Sequence, residues 1–312
     1  MLRSIRPGSR PQAWQAVAAA GTLLLLAGCT RTSVPFPEQQ TQTAQLPPAT
    51  PEATAPPTPE PIFAIQPFVE PIYSVVWVPQ GESLVVRQPA GISSVGIDSF
   101  AADQGGIHLT GKITLLGSSQ WVEIYVPDGG TGWVNGWNLT EQVEGEAFCR
   151  DLRVLDLLAR LTQALTAADG GRLAELVSPR RGLIVRHNSW NPEVQFELPA
   201  VQSLYDDPIV QDWGIFRDSQ VPIVGTFTEI IVPKLDLVLN AAPEVSCNLL
   251  GVGDSAQAPQ WPPEYGNLNF YSFYRRAPDP GNRLNWHTWA VGIEYVGGEP
   301  YIAVLVHFQG EI

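Results

Sequence analysis

Four histidines and three cysteines are the side chains of this chain best suited to catalysis or metal binding, and their spacing limits what each can do. His108, His187, His287 and His307 match no His-x-x-x-His or His-Glu-x-x-His pattern, so no single helical turn presents two imidazoles to a metal ion. No Gly-x-Ser-x-Gly elbow exposes a nucleophilic serine, and no glycine-rich loop is spaced to cradle phosphates. Two small constellations remain: Trp286-His287-Thr288-Trp289 on one expected strand, and His307 near the end of the next. Adjacent antiparallel strands would bring His287 and His307 into one layer with Glu294 or Asp279 nearby, and His287, His307 and Glu294 are the candidate site of the C-terminal half. The patterns give no metal ligand set, no cofactor motif and no catalytic motif, so the chain reads as non-enzymatic.

The elements that would position these residues follow from periodicity. Residues 269–275, 288–296 and 301–308 alternate as strands, with Gly297-Gly298 as a tight hairpin between the last two. Phe270, Tyr271, Phe273 and Tyr274 then read as one face and edge of that sheet. Upstream, Leu152, Leu155, Leu158, Ala159, Leu161, Leu165 and Ala168 fall at three-and-four spacing and run into the stop Asp169-Gly170-Gly171. A short helix is expected over 173–177, and another over 227–239 with a kink at Pro233. Helices first and a terminal antiparallel sheet afterwards predict an α+β domain over 146–312. A helix curled against such a sheet resembles the NTF2-like or cystatin-like cone in architecture, and such cones carry a pocket between helix and sheet.

Residues 73–143 have a different period. Runs at 83–87, 112–116 and 121–125 have the length and β-branched content of strands, and Asp128-Gly129-Gly130 marks a hairpin turn. The stretches SLVVRQPAG, KITLLGSSQWVEIYV and DGGTGWVNGWNL resemble the bacterial SH3-like (SH3b) family. Arg87, Pro89, Lys112 to Leu116, Gly132-Trp133-Val134 and Leu139 match its pattern, while Val85, Gln88 and Ala90 depart from it. The resemblance implies a small all-β barrel that acts as a binding or spacer module, with relatives that engage peptidoglycan or peptides. Trp77, Trp121, Tyr125 and Trp137 would supply its stacking surface, with Trp137 exposed and Trp133 in the core. In the second half, LVSPRRGLI and the closing YIAVLVHFQGEI resemble an uncharacterised domain of bacterial surface lipoproteins, which implies location more than chemistry.

The amino terminus sets the compartment. Residues 1–28 combine Arg3, Arg6 and Arg10 with an apolar run that is too short to span a bilayer, then small residues, as in a signal peptide. Leu26-Ala27-Gly28-Cys29 resembles the bacterial lipobox, which implies cleavage before Cys29 and acyl chains, palmitate among them, on that residue. Residues 29–72 are rich in Pro, Thr, Gln, Ala and Glu, with seven prolines between Pro47 and Pro61, and read as a disordered tether. Export leaves Cys149 and Cys247 as an even pair, expected as a disulfide. The net charge is -13, and -16 once the three leader arginines are gone, which excludes a nucleic-acid partner. Together these features predict a lipid-anchored protein on the extracytoplasmic face of the cell membrane, binding or scaffolding at the envelope. Its partners would be the membrane through the anchor and peptidoglycan, another envelope polymer or a protein peptide. The alternative is an envelope enzyme or small-molecule-binding protein with its site in the α+β domain.

Overall fold

The computed structural model describes residues 70–255 and 258–310. The segment 1–28 read as a signal peptide, Cys29 and nearly all of the stretch 29–72 read as a tether lie outside the described residues. Among the described residues, no helix is long and apolar enough to cross a membrane. The described chain is mostly sheet with a few helices, an α+β class.

Its first part is all β. Strands β1 (Tyr73–Val75), β2 (Ser83–Gln88), β3 (Val95–Ala101), β4 (Leu109–Leu116), β5 (Ser119–Tyr125), β6 (Thr131–Asn135) and β7 (Leu139–Glu141) follow one another. Five of them form an antiparallel sheet in the order β3-β2-β6-β5-β4, while β1 pairs with β7. Edge strands β3 and β4 are not paired with each other, so the sheet is open and not a closed barrel. Alternation turns Leu84, Val86, Val122, Ile124 and Val134 inward onto Val75, Phe100, Ile107 and Leu139. On β6 it is therefore Val134 that enters the core, and Trp133 lies half-buried on the other face beside Arg87. The expected turn joins β5 to β6, where Gly129 (φ 96°) and Gly130 (φ 90°) take backbone conformations open to glycine.

The second part starts with helices α1 (Gly145–Arg150), α2 (Leu152–Thr166) and α3 (Gly170–Leu176). Asp151 caps α2 by accepting from the Arg153 N–H, and Asp169 caps α3 from the Arg172 N–H. Helix α2 buries Val154, Leu157, Leu158, Leu161, Ala164 and Leu165, leaving Leu152 (76 % exposed) and Leu155 (44 %) toward solvent. The apolar stripe is thus rotated from the one the leucine spacing predicts. Leucines occupy both sides of the helix, and the packing partner decides which side is buried.

Then come β8 (Leu183–Arg186), β9 (Val194–Phe196), α4 (Leu198–Gln202), β10 (Gln211–Ile215) and β11 (Pro222–Gly225). The expected helix over 227–239 is two helices, α5 (Phe227–Ile230) and α6 (Val232–Leu239). The break falls just before Pro233, which starts α6 where its missing N–H costs nothing. Strands β12 (Glu244–Cys247), β13 (Asn269–Arg275), β14 (His287–Val296) and β15 (Glu299–Gln309) complete the chain. The main sheet has the order β12-β13-β14-β15-β8-β9. It is neither wholly C-terminal nor wholly antiparallel: β8 joins β15 in parallel, in the register Val304↔Ile184. Gly182 (φ 68°) lets β9 pack closely beside the start of β8, because a Cβ there would lie 2.0 Å from the Phe196 carbonyl oxygen.

Successive residues of β15 serve two cores. Ile302 and Leu305 face the cluster built with α2 and α6, while Val304, Val306 and Phe308 face a second cluster with Val76, Trp77, Trp137, Trp261 and Tyr265. Burial on both faces explains the uninterrupted apolar run of this strand. The second cluster also welds the first part of the chain to the main sheet. Trp77 N donates to the Glu264 carbonyl at 2.7 Å, and Asn267 Nδ2 to the Val75 carbonyl at 2.7 Å. Residues 70–310 accordingly belong to one compact unit. Cys149, in the last turn of α1, is bonded to Cys247 at the end of β12, with Cα atoms 5.8 Å apart.

Candidate functional site

The seam between the small sheet and the main sheet is organised around Arg181, in the segment leading into β8. Its side chain is fully buried, with Nε 3.2 Å from Glu294 Oε2 on β14, itself buried. Nη2 donates to the Leu139 carbonyl at 2.8 Å, and the guanidinium lies 4.2 Å from the Trp77 ring centroid and 4.9 Å from that of Trp137. Ser178 Oγ donates to the other oxygen of Glu294. Burial pulls the Arg181 guanidinium down to about 10, against the opposing pull of Glu294, so it stays charged at neutral pH. The Nε–Oε2 contact is close but not aligned as a hydrogen bond. Arg181 and Glu294 therefore form a charge pair that ties the main sheet to the Leu139 strand.

This arrangement separates the sequence candidates. Trp77 is engaged by Arg181, Trp137 and Tyr265, and Trp121 is 4 % exposed, so neither offers a free face for stacking. Tyr125 is 57 % exposed at the end of β5. Trp137 is half-buried, packed by Arg181 and lining an open cleft. That cleft, of about 750 Å³, lies between Ser118, Ser119, Gln120 and Asn135 of the small sheet and Arg180, Gln195 and Glu197 of the second part. Arg180 holds its wall in place by donating to the Gly136 and Leu139 carbonyls. An indole among hydroxyls, amides, two arginines and one carboxylate suits a polar, extended ligand.

Glu294 does not join the histidines. It lies seven positions along β14 from His287, roughly 23 Å at the rise of an extended strand. His287 and His307 do meet. The direct cross-strand partner of His307 is Trp289, and His287 reaches it diagonally, placing His287 Nδ1 3.1 Å from His307 Nε2. Sequence spacing did not suggest the third member, His187, which immediately follows β8 and comes alongside only because β8 pairs in parallel with β15. Its carbonyl lies 3.0 Å from His307 Nδ1.

These contacts fix the tautomers. A carbonyl can only accept, so His307 carries its proton on Nδ1 and its Nε2 accepts from His287 Nδ1–H. The Nε2 of His287 is then left with a lone pair. Burial first, and the charge of Lys234 second, lower His187 and His287 to about 4 and His307 well below its ordinary value. Lys234, in the first turn of α6, is itself lowered to about 8 by burial. Its Nζ donates to Gln309 Oε1 at 3.1 Å, and Gln309 borders a cavity of about 220 Å³ with Asn188, Ser189, Trp190, Arg217 and Gln260. Among the described residues no group of three or more His, Cys, Asp or Glu side chains is placed to hold a metal ion.

No family model matches this chain, and comparison with curated proteins and with solved structures gives no match either.

Proposed function

We propose that this chain is a lipid-anchored envelope protein that binds an extended envelope ligand, peptidoglycan in the first instance, in the cleft beside Trp137, without transforming it. The reading joins three features. Cys29 in its lipobox context would place acyl chains at the membrane. The proline-rich stretch after it would hold the folded part away from the headgroups. An SH3-like small sheet, resembling modules that engage cell-wall polymers, would form one wall of the cleft, with the α+β part forming the other. The observation that carries the reading is the cleft itself: about 750 Å³, open at the surface, with the Trp137 indole among Ser118, Ser119, Gln120, Asn135, Gln195 and Glu197. Indole edges with amide and hydroxyl neighbours match sugars and peptide backbones, which present hydrogen-bonding groups around apolar faces.

Co-sedimentation of the full chain with purified peptidoglycan tests this. Ser118→Trp, a substitution at an exposed position, fills the cleft without disturbing either core. Wild type should pellet with the polymer and Ser118→Trp should lose at least tenfold in affinity. A chain that stays in the supernatant, or a variant that binds as wild type does, refutes the assignment of the cleft.

A further inference from the structure

We infer that Arg180 and Glu197 make the cleft beside Trp137 selective for a zwitterionic peptide, one that carries a carboxylate and an ammonium group within a few residues of each other. The inference rests on the reading of this cleft as the ligand site and names the part of the ligand that is recognised, charged peptide in place of neutral glycan.

Its basis is a pair of opposite charges on one wall that do not satisfy each other. Arg180 precedes β8 and Glu197 follows β9, and the antiparallel pairing of these strands sets the two segments side by side, with Gln195 Nε2 donating to the Arg181 carbonyl at 3.0 Å. Arg180 nevertheless turns across the seam, where its hydrogen bonds go to the carbonyl oxygens of Gly136 and Leu139. Glu197 stands at the start of α4 without capping it through its side chain, and it is exposed. Among the described residues neither charge has an ion-pair partner, although both line the same cleft. A half-buried guanidinium bonded to neutral carbonyls gains more from a carboxylate than from a further amide, because charge-assisted hydrogen bonds are the stronger kind.

A second feature points the same way. Arg181 also lines the cleft, is fully buried against Trp137, and lies near enough to Arg180 for the two charges to repel. Glu294 is the carboxylate in contact with Arg181, while Glu193, the other one that acts on it, is taken up by Arg186 and Tyr265. Nη1 of Arg181 is buried without a hydrogen-bond partner. Adjacent arginines with one carboxylate in contact leave positive charge at the cleft, in a chain with 31 acidic and 18 basic residues. A peptide would be held by its carboxylate at Arg180, its ammonium at Glu197 and its backbone at the amides of Gln120, Asn135 and Gln195. A neutral sugar chain would leave both charges unmet, and an anionic polymer without an ammonium would meet Glu197 as a like charge.

Calorimetric titration of the full chain with the tetrapeptide Ala-Glu-Lys-Ala tests this, beside the same peptide with its carboxylates amidated, the same peptide with its amines acetylated, and a neutral N-acetylglucosamine oligomer. Wild type should bind the unmodified peptide best and lose about tenfold in affinity with each modified form. In Arg180→Met the amidated and unmodified peptides should bind alike, and in Glu197→Gln the acetylated and unmodified peptides should. Glu197→Gln alters an exposed side chain, so it keeps the test open if Arg180→Met does not fold. Wild-type binding that is indifferent to either modification, tighter binding of the sugar oligomer, or a preference that survives in the folded variant meant to remove it overturns the inference. Failure of every peptide to bind overturns it as well, and pelleting with peptidoglycan in that case leaves the assignment of the cleft standing. A peptide bound with both charge dependences by a chain that does not pellet supports the inference and removes peptidoglycan as the ligand.

Discussion

Replacing His187 by glutamine should make the protein less sensitive to acid, and the size of the effect follows from its surroundings. The imidazole is 2 % exposed and is pulled from 6.5 to about 4, first by burial and then by the charge of Lys234, against a hydrogen bond with Asn191. Its folded value is depressed, so the unfolded chain binds the proton more readily. Stability is intact above about pH 6.5 and is lost as pH falls through that value toward 4. A difference of about 2.5 units gives a loss of about 2 kcal/mol at pH 5 and about 3 kcal/mol at pH 4 relative to neutral pH. Carboxylates held low in the folded state, Asp151 by hydrogen bonding from Arg153 and Glu123 by hydrogen bonding from Lys112, also lose stabilising contacts in acid. They do so equally in both proteins and cancel in the difference. Urea unfolding of wild type and His187→Gln at pH 7 and pH 5 measures it. Wild type should lose about 2 kcal/mol more than the variant over that interval. Parallel losses would refute the premise that His187 is buried neutral beside a cation.

Arg181→Met should cost about 3–5 kcal/mol by stranding Glu294 in the seam, and the double variant Arg181→Met with Glu294→Met should recover most of that loss, as read from thermal melts. Reduction of Cys149–Cys247, which closes a loop with a sequence separation of 98, should lower stability by about 4 kcal/mol in urea titrations with and without reductant. Two thiols alkylated in the unreduced protein would contradict the bond. Cys29→Ser should move the chain from the membrane to the soluble extracytoplasmic fraction, and retention at the membrane would exclude lipid as the anchor.

The acid sensitivity has one physical source. Three neutral imidazoles are kept in a dry place where burial and the charge of Lys234 both oppose their protonation. Such an arrangement costs stability, and groups of this kind are most often retained where they bind or react. The Arg181–Glu294 pair has the opposite character, since both charges are present and buried and one arginine nitrogen reaches across the seam to Leu139.

Much of the local architecture was legible in the sequence. Period-two alternation with glycines at the turns located β2, β4, β5 and the β14–β15 hairpin, because those strands bury a fixed set of side chains and their turns need positive φ at Gly129, Gly130, Gly297 and Gly298. The pairing of Cys149 with Cys247 followed from their being the two cysteines left downstream of Cys29. The phase of α2 did not follow, because its leucines ring the helix and only the sheet it covers selects a face. Strands β8 and β9 are too short to announce themselves; they exist because β15 offers an unpaired edge and Gly182 lets the chain pass close to Phe196. The site shows the same division. Alternation put His287 and His307 on neighbouring strands, but the length of β14 carried Glu294 away from them to Arg181. The parallel docking of β8 brought in His187, and packing of α6 against β14 brought Lys234, from positions with no linear relation to either. Spacing along the chain reports only contacts within a strand, a helix or a hairpin, whereas the charge environment of a buried group is set by elements that meet through the fold.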